Sequence, residues 1–240
     1  MVLTGLSTRD SNRSRHRRRA PEIRELKHML EYLRALKIQH GVDTLRDLPD
    51  AFVGAAGPCK SAQYPSELEG RMTLPNGNWL RIRPLRPSEG AAIREFYRRL
   101  TLRTRRLRLL SPSPDLSDSA LNLITSVDYC RRLALLAESD MAHREEIVAV
   151  SEFAALDDHT AEVALVVSDE WQRLGLGTAL AARTLLAAEA RGFDLFVAQV
   201  FCDNVGVMRL LDHVAAIVSM QTRRGVSEIT FVPRTRRRSP

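Results

Sequence analysis

The sequence predicts an α/β fold of mixed α+β type, one mixed sheet with helices on its faces, preceded by an N-terminal helical extension. Three observations carry this reading. Short apolar or alternating runs of strand length recur from residue 71 onward. Between them lie stretches whose apolar residues return every three or four positions, the period of a helix. Hydrophobic residues make up 44% of the 240, enough for a core, which excludes wholesale disorder.

The elements follow in order. Residues 1–20 are a basic, polar stretch read as disordered, and 21–70 are a helical extension followed by a linker. Pro21 suits a first helical turn and Gly41 a C-terminal stop, with Ile23, Leu26, Leu30, Leu33 and Leu36 on one face of helix 22–40. That face packs on its own domain or serves a homodimer. Gly and Pro recur through 41–70, marking an irregular segment. A domain spans 71–233, and 234–240 is a second basic tail.

Within that domain, Arg71–Leu74 and Trp79–Arg83 flank Asn76-Gly77, a tight-turn signal. Ser88 is placed to cap a helix carrying Ile93, Phe96, Tyr97 and Leu100. Thr101 to Leu110 reads as a basic helix, and Ser117 caps another with Leu121 and Ile124. Strands follow at 133–137, 147–153 and 162–167. Then come a helix over 175–191 with Leu176, Leu180, Leu185 and Leu186 inward, a strand at 195–201, a helix at 204–213, and strands at 215–222 and 227–232.

The formal charge of +7 suggests a nucleic-acid partner until it is divided. Residues 1–19 carry +5 and residues 234–240 carry +4, which leaves the body at −2. A nucleic-acid partner is therefore not expected of the folded body. The tails offer a loose contact with nucleic acid or an acidic partner, or are solvated ends of a chain with 33 Arg and 3 Lys. No apolar run is long enough to span a membrane. Cys59, Cys130 and Cys202 stand far apart with no CxxC pair. Neither a disulfide framework nor a metal site is suggested, and a cytoplasmic, reducing location is expected.

The chemistry concentrates in Val166-Val167-Ser168-Asp169-Glu170-Trp171-Gln172-Arg173-Leu174-Gly175-Leu176-Gly177-Thr178: strand, short turn, glycine-spaced helix start. A helix start leaves about four N–H groups without partners and carries a positive dipole end. Glycines there let a ligand approach the backbone, and a pyrophosphate is the natural ligand. Glycines at this spacing also serve plain strand-to-helix turns. A Rossmann site fits poorly, since its third glycine would fall at Leu180.

The full run Gln172-x-x-Gly175-x-Gly177 after an apolar strand resembles the acyl-CoA-binding signature of the GNAT N-acetyltransferase superfamily. Asn204, soon after strand 195–201, matches the asparagine that opens that family's next helix. More narrowly, Arg81–Pro87, Arg105–Ser111 and Val127-Asp128-Tyr129 are similar to the GNAT domain of bacterial protein-lysine acetyltransferases. The resemblance implies a mostly antiparallel sheet splayed between strands 162–167 and 195–201, with acetyl-CoA in the gap as acyl donor. It implies that the backbone of Leu165, Val166 and Val167 pairs with the pantetheine arm. The amides of Gln172, Arg173, Leu174, Gly175, Leu176, Gly177 and Thr178 would hold the pyrophosphate, and Asn204 the pantetheine region.

A lysine amine has a pKa of about 10.4, so aminolysis of a thioester at neutral pH needs a base. The resemblance gives that role to Glu162, ten residues before Gln172, with Glu152 as the alternative. Many members carry a tyrosine acid where this chain has Leu211, and the family's usual Gly-Phe after the helix is replaced by Val214-Ala215. His213 matches no family role. The implied reaction is direct acetyl transfer in a ternary complex to an amine, a protein lysine by the narrower resemblance. A small-molecule amine, or a non-catalytic acyl-CoA-binding module, are the alternatives.

Overall fold

The structure is a computed structural model that describes residues 63–111, 115–141 and 144–234. Both basic tails apart from Arg234, and helix 22–40 with the dimer contact read from it, lie outside the described residues.

Strands β1 (Gly70–Thr73) and β2 (Trp79–Pro84) form the expected hairpin. Gly77 takes φ 84°, and its N–H donates to Leu74 O at 2.9 Å. Leu68, in a 3-10 turn just before β1, is buried in the core. Helix α1 (Gly90–Arg99) follows a 3-10 turn at Pro87–Glu89. Ser88 does not cap it. Glu89 closes the turn instead, its carboxylate accepting the Arg86 N–H at 2.6 Å. Pro87 opens the 3-10 turn and moves the helix start past Ser88.

Helix α2 (Leu102–Leu109) is capped by Thr101, and α3 (Asp118–Thr125) by Ser117, whose Oγ accepts the Ala120 N–H at 3.1 Å. Between α3 and β3 the Asp128 carboxylate accepts the N–H groups of Cys130, Arg131 and Arg132 at 2.7–2.9 Å. The Val127-Asp128-Tyr129 run is thus a turn-former. Strands β3 (Arg132–Met141), β4 (Arg144–Ala155) and β5 (Thr160–Val167) lead to α4 (Leu176–Glu189). Strand β6 (Leu195–Phe201), α5 (Val205–Val214), β7 (Ala215–Arg223) and β8 (Val226–Pro233) complete the described chain. This is the element order that the periodicity predicts.

The eight strands form one open sheet in the order β1-β2-β3-β4-β5-β6-β8-β7. Neighbours run antiparallel except β5 and β6, which are parallel. Helix α4 covers one face, where Leu176, Leu180 and Leu185 meet Leu133, Leu135, Phe153, Phe196 and Phe231. Leu186, expected inward, is half-buried, while Arg183 and Thr184 are buried. Their polar atoms are satisfied by Arg71 O and by Ser151 Oγ with Leu180 O. Helices α1 and α3 cover the other face, where Ile93, Phe96, Tyr97 and Ile124 meet Leu85, Leu136, Val150 and Val166.

The β3–β4 ladder is broken once. Ala137 faces Ala149 and Glu138 faces Ile147, so Val148 is an extra residue in β4. Ile147 therefore joins the same apolar cluster as Val150, while Val148 joins Ala149 on the α4 face.

Under α1, Arg83 bridges two carboxylates, donating to Glu89 at 2.7 and 2.9 Å and to Glu138 at 2.6 and 2.9 Å. Cys202 is an exposed free thiol, whereas Cys130 is disulfide-bonded, which the wide cysteine spacing did not suggest. Among the described residues, no helix is long and apolar enough to cross a membrane. Nor does any group of three or more His, Cys, Asp or Glu among them suit a metal ion.

Candidate active site

The sheet parts at its one parallel junction. Strand β5 pairs with β6 only over Thr160–Glu162 against Leu195–Val197. Beyond that, β5 stays on β4 as far as Val167, and β6 stays on β8 as far as Phe201. A wedge opens between them with its closed end at Glu162. Leu165, Val166 and Val167 lie along the parted stretch of β5. Parallel strands end on the same side of a sheet, so the loop after β5 and the turn after β6 meet at the open end. The junction therefore brings Gln172–Thr178 and Asn204 to one end and Glu162 to the other, roughly 16 Å of strand from Val167.

At the open end the chain makes a 3-10 turn, Asp169–Trp171, anchored by the buried Trp171. Arg173 and Gly175 then take positive φ, 62° and 83°. Such a kinked run turns successive N–H groups inward as an anion nest. Gly175 is the N-cap of α4, with no side-chain cap bond and no acid in the first turn. The donors at this fourteen-residue helix start are left for a ligand. Gly177 is close to its neighbours: a methyl group there would meet Leu210 Cδ1 at 3.4 Å, Leu165 Cδ2 at 3.5 Å and Val167 Cγ2 at 3.6 Å. Leu176 is buried, and Leu174 packs against the core.

Gln172 acts through its side chain as well as its place in the loop. Its Nε2 donates to Val167 O at 3.0 Å and to Thr104 Oγ1 at 3.3 Å, holding the loop to the end of β5. Asp169 accepts from Thr101 N at 3.1 Å, Thr101 Oγ1 at 2.8 Å and Thr104 Oγ1 at 2.7 Å. Burial works against its charge, but these donors outweigh it and hold the Asp169 carboxyl below the usual carboxylate range.

At the closed end, Glu162 of β5 faces Ala154 of β4, and Ala164 faces Glu152. Opposed residues of a ladder share a face, so both glutamates point to the α1–α3 side. They line a cavity of about 350 Å³ with Arg108, Leu109, Leu123 and Ile124 among its walls. Arg108 forms an ion pair with Glu152, both mostly shielded from solvent. Burial opposes the guanidinium charge, but Tyr97, Glu152 and Glu162 together hold its pKa above the ordinary value. Near neutral pH the glutamates supply that attraction, since burial pushes the Tyr97 phenol up to about 12. Glu162 is exposed to the cavity, and its carboxylate forms no hydrogen bond or ion pair among the described residues. The two carboxylates are thereby distinguished: Glu152 is engaged, and Glu162 is open.

Asn204 caps α5, its Oδ1 accepting the Val207 N–H at 3.3 Å. Leu211 is buried in the α4-side core, so no acid stands at that position. Helix α5 runs directly into β7 at Val214-Ala215, both buried, with no turn that would call for glycine. His213 is a surface residue whose Nδ1 lies 2.6 Å from Arg209 O. Arg108 lies within the Arg105–Ser111 run, and the sequence assigns it no role. A basic stretch with four arginines in eight positions does not reveal which one is buried against a glutamate 44 residues away.

A sheet parted beside an uncapped helix start, with an open carboxylate at the closed end of the wedge, is the acyltransferase architecture that the sequence resemblance implies. Comparison with known proteins makes this specific. Residues 94–214, half of the chain, match the acetyltransferase (GNAT) family, and the chain belongs to that family. It is 32% identical over 124 residues to acetyltransferase PA5475 of Pseudomonas aeruginosa, covering 50% of this chain. That match spans 66% of the relative's length, just short of two thirds. Among solved structures, the GNAT domain of S. lividans PAT superposes with a TM-score of 0.63 at 24% identity, over 71% of this chain and 99% of that one. The ribosomal-protein-S5-alanine acetyltransferase of Vibrio fischeri gives 0.50 at 12% identity, over 63% and 91%. At these identities the likeness concerns the fold.

Proposed function

We propose that the protein is an N-acetyltransferase that moves acetyl from acetyl-CoA to an amine, with a protein lysine as the acceptor class. Acetyl-CoA lies in the β5–β6 wedge, its pyrophosphate on the amides from Gln172 to Thr178 and its pantetheine arm along Leu165, Val166 and Val167, near Asn204. Glu162 takes a proton from the acceptor ammonium, directly or through one water. The neutral nitrogen attacks the thioester carbonyl carbon, while an N–H on the free edge of β5 stabilises the developing oxyanion. The C–S bond then breaks, giving the amide and the CoA thiolate. The second proton of the attacking nitrogen passes to water as the adduct collapses, and solvent returns a proton to the thiolate, since Leu211 offers no acid.

The observation that carries this reading is the contrast between the two glutamates. Glu152 is held by Arg108, whereas Glu162 stands open at the closed end of the wedge. The acceptor class rests on the similarity of Arg81–Pro87, Arg105–Ser111 and Val127–Tyr129 to protein-lysine acetyltransferases.

Glu162→Gln is the test. The variant is expected to keep the melting-temperature rise produced by acetyl-CoA and to lose about 10²–10⁴-fold in acetyl transfer to protein and amine panels. Transfer within a few-fold of wild type would remove Glu162 from the base role. The buried Leu211 favours one second reading, a non-catalytic acyl-CoA-binding module. It predicts the same melting-temperature rise in wild type with no transfer to any acceptor.

A further inference from the structure

We infer that Thr104 and Asp169 are positioning residues that fasten α2 to the donor loop, so that donor binding sets the geometry of the acceptor cavity. This rests on the proposed donor site. Helix α2 has eight residues, of which Thr104 is the buried one. A helix this short, without an apolar stripe, does not hold itself together in water. Leu109 packs on the α1–α3 core and Arg106 lies over the Phe201 ring, while the polar contacts with the donor loop and with Glu152 lie at the two ends of the helix.

At the N-terminal end, Asp169 receives three hydrogen bonds, from Thr101 N, Thr101 Oγ1 and Thr104 Oγ1. The Thr104 hydroxyl also accepts from Gln172 Nε2. Asp169 and Gln172 both belong to the short segment between β5 and α4, and Gln172 reaches on to Val167 O. At the C-terminal end, Arg108 pairs with Glu152, and Arg108, Leu109 and Leu110 line the cavity that Glu162 faces. A little over two helical turns, about 12 Å long, thus join the phosphate nest to the cavity wall. Thr104 Oγ is the node, since it donates to one loop residue and accepts from the other. Restraining the loop on a pyrophosphate restrains α2, and with it the wall against which an amine is presented.

Hydrogen exchange and kinetics on the full chain test this, with acetyl-CoA as probe. In wild type, saturating acetyl-CoA is expected to slow amide exchange tenfold or more both in 172–180 and in 102–110. Thr104→Val keeps the side-chain shape and removes both bonds. It is expected to retain the slowing at 172–180 and the melting-temperature rise, to lose the slowing at 102–110, and to lower kcat/KM for the amine at least tenfold. Thr104→Ser restores the hydroxyl and is expected to restore both. Should Thr104→Val destabilise the fold, the more exposed Asp169→Asn, which loses charge and part of its acceptor capacity, is expected to weaken the slowing at 102–110 selectively. Wild type that binds acetyl-CoA without slowing 102–110, or a Thr104→Val protein that matches wild type there, overturns the inference alone. Absence of any melting-temperature rise in wild type overturns the donor site and the inference together.

Discussion

Tyr97 carries a buried hydroxyl with no hydrogen-bond partner among the described residues. Such a group retains its desolvation cost with nothing in return. Tyr97→Phe is therefore expected to leave the protein as stable as wild type or up to about 1 kcal/mol more stable, read by urea denaturation; a loss above that size would mean the hydroxyl has a partner. The two glycines of the donor loop separate in the same way. Gly175, at φ 83°, resists any side chain, so Gly175→Ala is expected to cost about 1 kcal/mol or more. Gly177 has ordinary φ and neighbours no nearer than 3.4 Å, so Gly177→Ala is expected to fold normally and to bind acetyl-CoA more weakly, by calorimetric titration. Equal acetyl-CoA affinity would make Gly177 a helix-packing glycine. Leu211→Tyr overfills a closed core and is expected to cost about 1–3 kcal/mol without raising transfer. At this scale the sequence showed residues whose neighbours are local: Gln172, Gly175 and Glu162 stand at fixed distances in one strand-turn-helix. Arg108, Thr104 and Asp169 were not legible as partners, because the bonds joining them span more than forty residues.

Elements were easier to read than their ends. Every strand and helix from 71 onward appears in predicted order, because apolar spacing reports which face is buried. The misses arise where a local polar contact outbids pattern. Glu89 rather than Ser88 organises the entry to α1, and Arg183 and Thr184 are buried because Arg71 O and Ser151 receive them. The entry to α1 also carries the pH response. Burial raises the Glu89 carboxyl, but the Arg83 guanidinium and the Arg86 N–H outweigh it and hold it below the usual carboxylate range. A depressed folded value means that the stabilisation is fully present above the ordinary glutamate pKa and is lost as pH falls through the depressed one. Stability should therefore decline below about pH 4, with Glu89→Gln showing a shallower decline from a lower plateau. Parallel urea midpoints of the two proteins across that range would refute the assignment.

Across the molecule, three residue pairs are all that join β5 to β6. A donor seated in the wedge bridges the β1–β5 part of the sheet to the β6–β8 part. Ligand at about 100 times its dissociation constant stabilises by about 2.7 kcal/mol. For a chain of this size that corresponds to a rise of roughly 5–10 °C in melting temperature. Acetyl-CoA should produce it, and no shift at saturation would remove the donor site. The proposed donor site lies in the near-neutral body and outside the basic ends.

The extra Val148 determines where this sheet tolerates a change of length. From Ala149 to Ala154 the β4 ladder on β3 is unbroken, and Glu152 owes its direction to that count. Removing Val148 would leave Ile147 against Glu138 and Ala149 against Ala137, a regular ladder with every side chain downstream still on its own face. Removing Ser151 would instead turn Glu152 into the place beside Thr184, under α4, and leave Arg108 without its carboxylate. A single-residue deletion is thus absorbed by the ladder at the bulge and displaces the glutamate pair when it falls at Ser151.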